Sequence, residues 1–386
     1  TYNMKVNEYN TLKKIVILDF MSEMNLGDAA IQVGLLKILS KSYPVATISI
    51  MTSYGANQLP ELEGEFTHSL SKETKLFGGL VPTFYPFHET SLNQPFYFET
   101  SNFFHLLLRV WLLIALKIGI PKKVINQLLG KQYRPSFDLI MKADLVVVRG
   151  RNYRSRKSPL LQIIRKLSKV YHPLLCGLLK KKMILVGASI WEQKSRLAMR
   201  FLGAAFRPCS LIAVRDKNSL EMAKIISEKN KSVVPIFLPD LAFSAFGKRE
   251  ELIRKRKLSS QADHPETIGL TLLDWNSDEP DARGKYQQSI SNLISYYSAL
   301  GSRIVIIPQV SISWDDSSAL LQGLTAGASP DAVTVIRDDL SLEKLIELYS
   351  GLDILVGTRM HSTIFAAIVN TPFVAIANDA GGKWGI

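Results

Sequence analysis

The chain has 386 residues, of which 47% are apolar and 21% charged, the balance of a soluble globular protein rather than a disordered chain or a polytopic membrane protein. Its length points to two domains, because single cores stop growing near roughly 250–300 residues. The net charge of +13 is local: Lys122 to Lys182 holds 16 Lys/Arg against Asp138 and Asp144, a segment that attracts phosphates, anionic headgroups or nucleic acid.

In chain order, Lys14–Phe20 (KIVILDF) reads as a buried strand and Asp28–Lys41 as a helix with Ile31, Leu35, Ile38 and Leu39 on one face. Strands are expected next at Thr47–Met51, Asp144–Val148, Met183–Val186, Leu211–Val214 and Val233–Leu238. After a polar break at Gly247–Glu266 they resume at Ile268–Leu272, Arg303–Ile307, Val333–Ile336, Asp353–Val356 and Phe373–Ala377. Most are continuous apolar runs, as parallel strands covered on both faces require. Helical spacing fills the gaps at Ser219–Ile226, Gln287–Ala299, Leu342–Tyr349 and Met360–Val369. The expected class is α/β, with two Rossmann-like domains whose parallel sheets face a cleft, a GT-B-like arrangement. The N-terminal domain is assigned to 1–250, with a basic and apolar insertion at about 103–182, and the C-terminal domain to 251–386.

The apolar stretch Phe103–Ile120 contains His105 and is interrupted by Arg109 and Lys117. Its longest uncharged run is too short to span a bilayer. It fits either a packing helix or an interfacial helix resting on an anionic membrane beside Lys122, Lys123 and Lys131. Helix-turn-helix, zinc-finger and aromatic RNA-binding signatures are missing, which argues against nucleic acid. Cys176 and Cys209 cannot make a disulfide framework and suit a reducing compartment. Thr1 to Leu12 is mostly polar, unlike a secretory signal. The expected location is therefore cytoplasmic, with a peripheral position on the inner face of the membrane if the interfacial reading holds.

Ligands of open α/β sheets bind beyond the carboxyl ends of the strands, and the chemistry-bearing residues fall there. Asn25-Leu26-Gly27-Asp28 joins the first strand to the first helix, where backbone N–H groups can take an anion or hydroxyls and Asp28 can act as an N-cap. Arg215-Asp216-Lys217-Asn218-Ser219 offers a guanidinium at a strand tip, either for a carboxylate or phosphate or for an ion pair with Asp216. Gly357-Thr358-Arg359-Met360-His361-Ser362 sets a cation and a titratable imidazole at a helix start. Asn378 to Lys383 is a loop with two glycines and a point charge. Gly187-Ala188-Ser189, Pro239-Asp240 and Pro308-Gln309 also follow strands. The dinucleotide fingerprint G-x-G-x-x-G, the P-loop, the G-x-S-x-G elbow and H-E-x-x-H are missing, and the six histidines have no metal-ligand spacing. The expectation is a metal-free site that grips a small, multiply charged anion.

Taken in order, N-x-G-D at Asn25–Asp28, G-A-S at Gly187–Ser189, R-D-x-x-S at Arg215–Ser219, P-D at Pro239–Asp240, P-Q at Pro308–Gln309, G-T-R-x-H-x-x-I at Gly357–Ile364 and the tail Thr371–Lys383 resemble the polysaccharide pyruvyl transferase family. The resemblance runs from about Lys14 to the end. It implies transfer of pyruvate from phosphoenolpyruvate, as co-substrate, to a sugar, with a cyclic ketal as product and no other cofactor. It implies His361 as general acid and base with Arg359 beside it. Arg215, Arg359, Lys383 and Ser362 would bind phosphoenolpyruvate, while Asn25, Asp28, Ser189, Arg149, Arg151 and Gln309 would face the acceptor. Where the family commonly has a Gly-rich segment, this chain has Arg149-Gly150-Arg151-Asn152-Tyr153-Arg154, which favours a phosphate-bearing acceptor such as a lipid-linked saccharide. A GT-B fold often ends with a helix crossing back to the first domain, so the C-terminal domain is expected to be cut short at Ile386. Two other readings stand beside this one: a GT-B glycosyltransferase using a nucleotide sugar, and a non-catalytic binding protein of envelope assembly.

Overall fold

The computed structural model describes residues 12–59, 66, 68, 74–81, 100–153, 159–192, 195–231, 233–247, 250, 251, 253, 254, 265–272, 281–310, 324, 325, 330–336 and 340–377. The first sheet contains β1 (Lys14–Phe20), β2 (Thr47–Gly55), β3 (Lys75–Gly79), β4 (Leu145–Arg149), β6 (Met183–Ile190), β7 (Cys209–Val214) and β8 (Ile236–Phe237). Their order is β3-β2-β1-β4-β6-β7-β8, with the short β5 (Asn152–Tyr153) pairing to β6. The second sheet contains β9 (Thr267–Thr271), β10 (Arg303–Ile306), β11 (Val333–Val335), β12 (Ile354–Gly357) and β13 (Phe373–Ala375), ordered β11-β10-β9-β12-β13. Every pairing within both sheets is parallel. The chain forms an α/β fold of two Rossmann-like units, each with a topological switch point beside its first strand, where the strand order reverses.

Alternation along β1 explains why it sits centrally. Ile15 and Ile17 enter one hydrophobic cluster, and Val16 and Leu18 enter the cluster on the opposite face. Leu145 and Val147 of β4 face with the first pair, Val146 and Val148 with the second. Both faces of the sheet are therefore covered, as the continuous apolar runs require. A third cluster lies under the second sheet, where Ile268 and Leu270 meet Tyr286, Ile290 and Ile294 of helix α8 (Ala282–Ala299).

The first cluster also holds the two halves together. Helix α1 (Leu26–Ser42) contributes Ala29, Ala30 and Leu35 to it, and the C-terminal half contributes Leu345, Tyr349 and Phe365. The last three come from α9 (Leu342–Ser350) and α10 (Met360–Ile368). A backbone bridge pairs Asn25 with Val310, and Leu26 N–H donates to the Gln309 carbonyl at 3.1 Å. The loops after β1 and β10 thus meet face to face, and the carboxyl ends of both sheets border one junction.

The remaining described helices are α2 (Thr100–Lys117), α3 (Lys122–Leu128), α4 (Arg134–Lys142), α5 (Pro159–Leu178), α6 (Arg196–Phe206) and α7 (Lys217–Asn230). Cys176 and Cys209 are free and buried. Burial pushes both thiols up, that of Cys209 to about 12, so neither is poised as a nucleophile.

Candidate active site at the domain junction

His361 stands in the first turn of α10, directly after the strand β12 and the turn Thr358-Arg359. The end of β9 clamps that turn. Thr358 Oγ1 donates to the Thr271 carbonyl at 2.6 Å, Arg359 Nε to the Leu272 carbonyl at 2.9 Å, and Thr271 Oγ1 to Ser362 Oγ at 2.8 Å. Ser362 Oγ in turn donates to the Arg359 carbonyl at 2.5 Å. These bonds fix the N-terminus of α10 at the switch point between β9 and β12. The helix dipole there favours an anion, and Arg359 adds positive charge.

The imidazole crosses to the other domain. A Cβ placed on Gly27 would lie 2.1 Å from His361 Nδ1, so glycine is needed for the ring to lie against the start of α1. On its other side, His361 Nε2 is 3.8 Å from Asp240 Oδ2. Nε2 is buried and holds no hydrogen bond, although the side chain as a whole is 20% exposed.

Asp240 begins a chain of buried polar groups. Its Oδ2 accepts from Arg215 Nη1 at 2.6 Å, and its Oδ1 accepts from Ala242 N–H at 3.0 Å. Arg215 Nε donates to Ser189 Oγ at 2.8 Å, and Ser189 Oγ donates to Asp216 Oδ2 at 3.0 Å. Asp216 caps α7 through Ser219 N–H at 2.7 Å. Burial alone would raise the Asp240 carboxyl, but the Arg215 guanidinium, aided by His361, outweighs it and holds the carboxyl well below the usual carboxylate range. The carboxylate stays charged and keeps a negative potential behind the imidazole.

This geometry sorts the residues expected from sequence. Arg215 does not extend from its strand tip as an open cation: it is buried, and its carboxylate partner is Asp240 rather than Asp216. The Ser189 hydroxyl is occupied between Arg215 and Asp216. Ser362 is fully buried beneath the turn it braces. Asn25 caps α1, its Oδ1 accepting from the N–H groups of Gly27 and Asp28 at 3.0 and 3.3 Å. Gln309 is buried, with Nε2 donating to the Tyr349 hydroxyl at 3.1 Å. Lys383 lies outside the described residues.

At the first sheet's switch point, Arg149 pairs with Asp28 and also donates from Nη1 to the Asp19 carbonyl at 3.3 Å. Arg151 Nη1 lies 3.6 Å from Asp19 Oδ1. Sequence reading missed Asp19 and His172. Asp19 is fully buried at the end of β1 with φ 66°, a left-handed conformation that Asp adopts more readily than most residues. His172 Nε2 accepts from Leu80 N–H at 3.0 Å, so its proton sits on Nδ1, 3.5 Å from Asp19 Oδ1. The only signal in the sequence was a carboxylate inside an otherwise apolar strand. Burial, then the Asp19 charge, pushes the neighbouring Tyr153 hydroxyl upward.

A cavity of about 340 Å³ opens beside the buried chain, lined by Trp191, Glu192, Asn218 and Glu221 and sharing Asp216 and Ser219 with it. Among the described residues, no three His, Cys, Asp or Glu side chains are grouped to hold a metal ion.

Two Rossmann-like units whose parallel sheets border one junction make a GT-B-like fold. The solved structures agree on the fold. Anabaena HepE in complex with UDP-glucose is similar at TM-score 0.50 and 11% identity, over 94% of this chain and 80% of that one. UDP-GlcNAc 2-epimerase from Methanocaldococcus jannaschii is similar at TM-score 0.50 and 13% identity, over 96% and 85%. The epimerase from Neisseria meningitidis bound to UDP-GlcNAc is similar at TM-score 0.50 and 13% identity, over 95% and 83%. No curated protein matches the chain in sequence. The sequence matches the polysaccharide pyruvyl transferase family over residues 25–380, and the chain belongs to that family. It is therefore a transferase of polysaccharide synthesis.

Proposed function

We propose that the protein moves pyruvate from phosphoenolpyruvate to a sugar of a cell-envelope or exopolysaccharide precursor and closes a pyruvate ketal on it. The observation that carries this reading is His361, held at the domain junction between Gly27 and the Asp240 carboxylate and two residues from Arg359. The donor bears a phosphate and a carboxylate, which suit Arg359, the N-terminus of α10 and, as the sequence implies, Lys383.

In this scheme a proton is delivered to the methylene carbon of the donor, which becomes a methyl group and leaves the central carbon electrophilic. One sugar hydroxyl bonds to that carbon and gives up its proton. Phosphate leaves with the electron pair of the broken C–O bond and takes up one proton. A second hydroxyl then bonds to the same carbon and releases its proton, closing the ring. In this reading His361 gives the first proton and takes a hydroxyl proton, a role worth about 10²–10⁴-fold. Arg215 acts in the proposal as a positioning residue, through Asp240.

The test is phosphate release from phosphoenolpyruvate with a panel of free and lipid-linked saccharides, with mass analysis of the product. Acceptor-dependent release that yields a ketal, and falls by about 10²–10⁴-fold in His361→Ala, is expected. Wild-type protein that binds no phosphoenolpyruvate would sink the donor assignment.

A further inference from the structure

Helix α2 buries a cation and leaves part of its apolar surface uncovered. Its one arginine, Arg109, points inward and is buried: Nε donates to the Leu80 carbonyl at 2.9 Å and the guanidinium lies 4.0 Å above the Tyr133 ring. Leu106, Leu112 and Ala115 pack inward beside it, but a second set of apolar side chains points outward. Leu107, Leu108, Trp111 and Ile114 lie on the outer face, and Ile118 in the following turn and Leu128 on α3 continue the patch; all six are between 47% and 71% exposed. Positions 107, 111, 114 and 118 recur at helical spacing, which makes one stripe rather than scattered contacts.

The stripe runs into a basic rim. Lys117, Lys122, Lys123 and Lys131 are exposed where α2 gives way to α3 and α4. From Thr100 to Lys142 the sequence contains one carboxylate, Asp138, and it accepts from Asn126 Nδ2 at 2.8 Å. No helix among the described residues is long and apolar enough to cross a membrane.

From this arrangement we infer that the outer face of α2 and α3 docks on an anionic phospholipid surface, lying in the headgroup plane with the lysines on the phosphates. An exposed tryptophan among long aliphatic side chains, bordered by lysines, is the make-up of an interfacial helix. Charge complementarity selects the occupant: anionic headgroups neutralise the lysine rim, whereas a second copy of the chain would bring two like-charged rims together. The inference is independent of the transfer chemistry.

The test is co-sedimentation of the full chain with vesicles of phosphatidylglycerol and phosphatidylcholine, and of phosphatidylcholine alone. Binding to the anionic vesicles, weakened by salt, is expected. Leu108→Gln combined with Ile114→Gln, and separately Lys122→Glu combined with Lys123→Glu, should each lower the partition coefficient by about tenfold or more. Unchanged melting curves would show that both variants fold. Failure of the wild type to sediment with anionic vesicles, or partitioning of both variants like the wild type, overturns the inference. A concentration-dependent dimer that the apolar variant abolishes, without lipid binding, would assign the face to self-association instead.

Discussion

At the switch point of the first sheet, Asp19, Arg149 and His172 are each at most 3% exposed, and Arg149 and Arg151 face carboxylates of the same domain. At the switch point of the second, Arg359 is half-buried and the His361 side chain is 20% exposed, crossing to the neighbouring domain. Both sheets reverse their strand order beside the first strand, but at the first the arginines pair with carboxylates of their own domain, whereas at the second the imidazole crosses to the other domain. A group that solvent reaches can be reached by a ligand. A sealed, paired group contributes to holding the strand ends in place, and removing one partner leaves a buried charge uncompensated. Cationic residues at strand tips are therefore not equivalent: Arg149 and Arg215 are buried against carboxylates of the first domain, while the His361 ring lies between the domains.

Opposed outcomes in two variants test that division most severely. His361→Ala should lower turnover by about 10²–10⁴-fold. Its melting temperature should fall less than that of Arg215→Met, because Nε2 holds no hydrogen bond and Asp240 keeps its Arg215 partner. Arg215→Met should chiefly lose stability, with a smaller fall in turnover as Asp240 shifts behind the imidazole. It strands the fully buried Asp240 carboxylate, and breaking such a pair costs about 3–5 kcal/mol. Denaturant melts and initial rates on the same two preparations decide. An Arg215→Met protein of wild-type stability, with a raised KM for phosphoenolpyruvate, would move Arg215 from the scaffold to the donor.

The same pair carries a pH signature. The folded Asp240 carboxyl lies below its unfolded value, so its stabilisation is complete above the ordinary carboxylate range, about pH 4, and is lost as pH falls through that range toward the folded value. Asp240→Asn should be less stable than wild type near neutrality, and the gap should narrow in acid. A gap that stays constant from neutrality to strong acid would show that the carboxylate is not stabilised by its partners.

Gly27→Ala addresses the junction from the other domain. The added methyl must displace the imidazole, since the space is already taken by Nδ1. A misplacement of about 1 Å can cost around 10²-fold in rate. The expected result is a fall in kcat smaller than that of His361→Ala, and a Gly27→Ala enzyme with wild-type kcat would mean that the ring does not work from this position.

Much of the site was legible because it sits where periodicity is strongest. The expected strand Asp353–Val356 is observed as Ile354–Gly357, and the turn carrying Arg359 and His361 follows at once. What failed was the direction of side chains, which depends on partners far away in sequence. Arg215 finds Asp240 at 25 residues' separation, and Arg149 finds Asp28 at 121. Arg109 looked like an interruption of an apolar run, but in the fold it is buried alongside Leu106 and Leu112, while Leu107, Leu108 and Trp111 are exposed. Short elements were also lost. β3 (KLFGG) has too few apolar residues to show a period, and the run read as Val233–Leu238 is a strand only at Ile236–Phe237, half-exposed at the sheet edge. α5 contains Pro173, whose presence argues against a helix when read locally.

Ser362 gives the finest test of the division between scaffold and site. Its sequence position, one residue after His361, suggests a hydroxyl for the donor, whereas its bonds to Thr271 and the Arg359 carbonyl make it a brace beneath the turn. Ser362→Ala removes the donor to one carbonyl and the acceptor of one hydroxyl, at a cost of about 1 kcal/mol. A brace loosens the N-terminus of α10 and lowers kcat modestly, by less than about tenfold. A ligand to phosphoenolpyruvate instead raises KM with kcat preserved. Measuring the two constants separately therefore distinguishes the roles where stability alone would not, and a pure KM effect would place Ser362 in contact with the donor despite its burial.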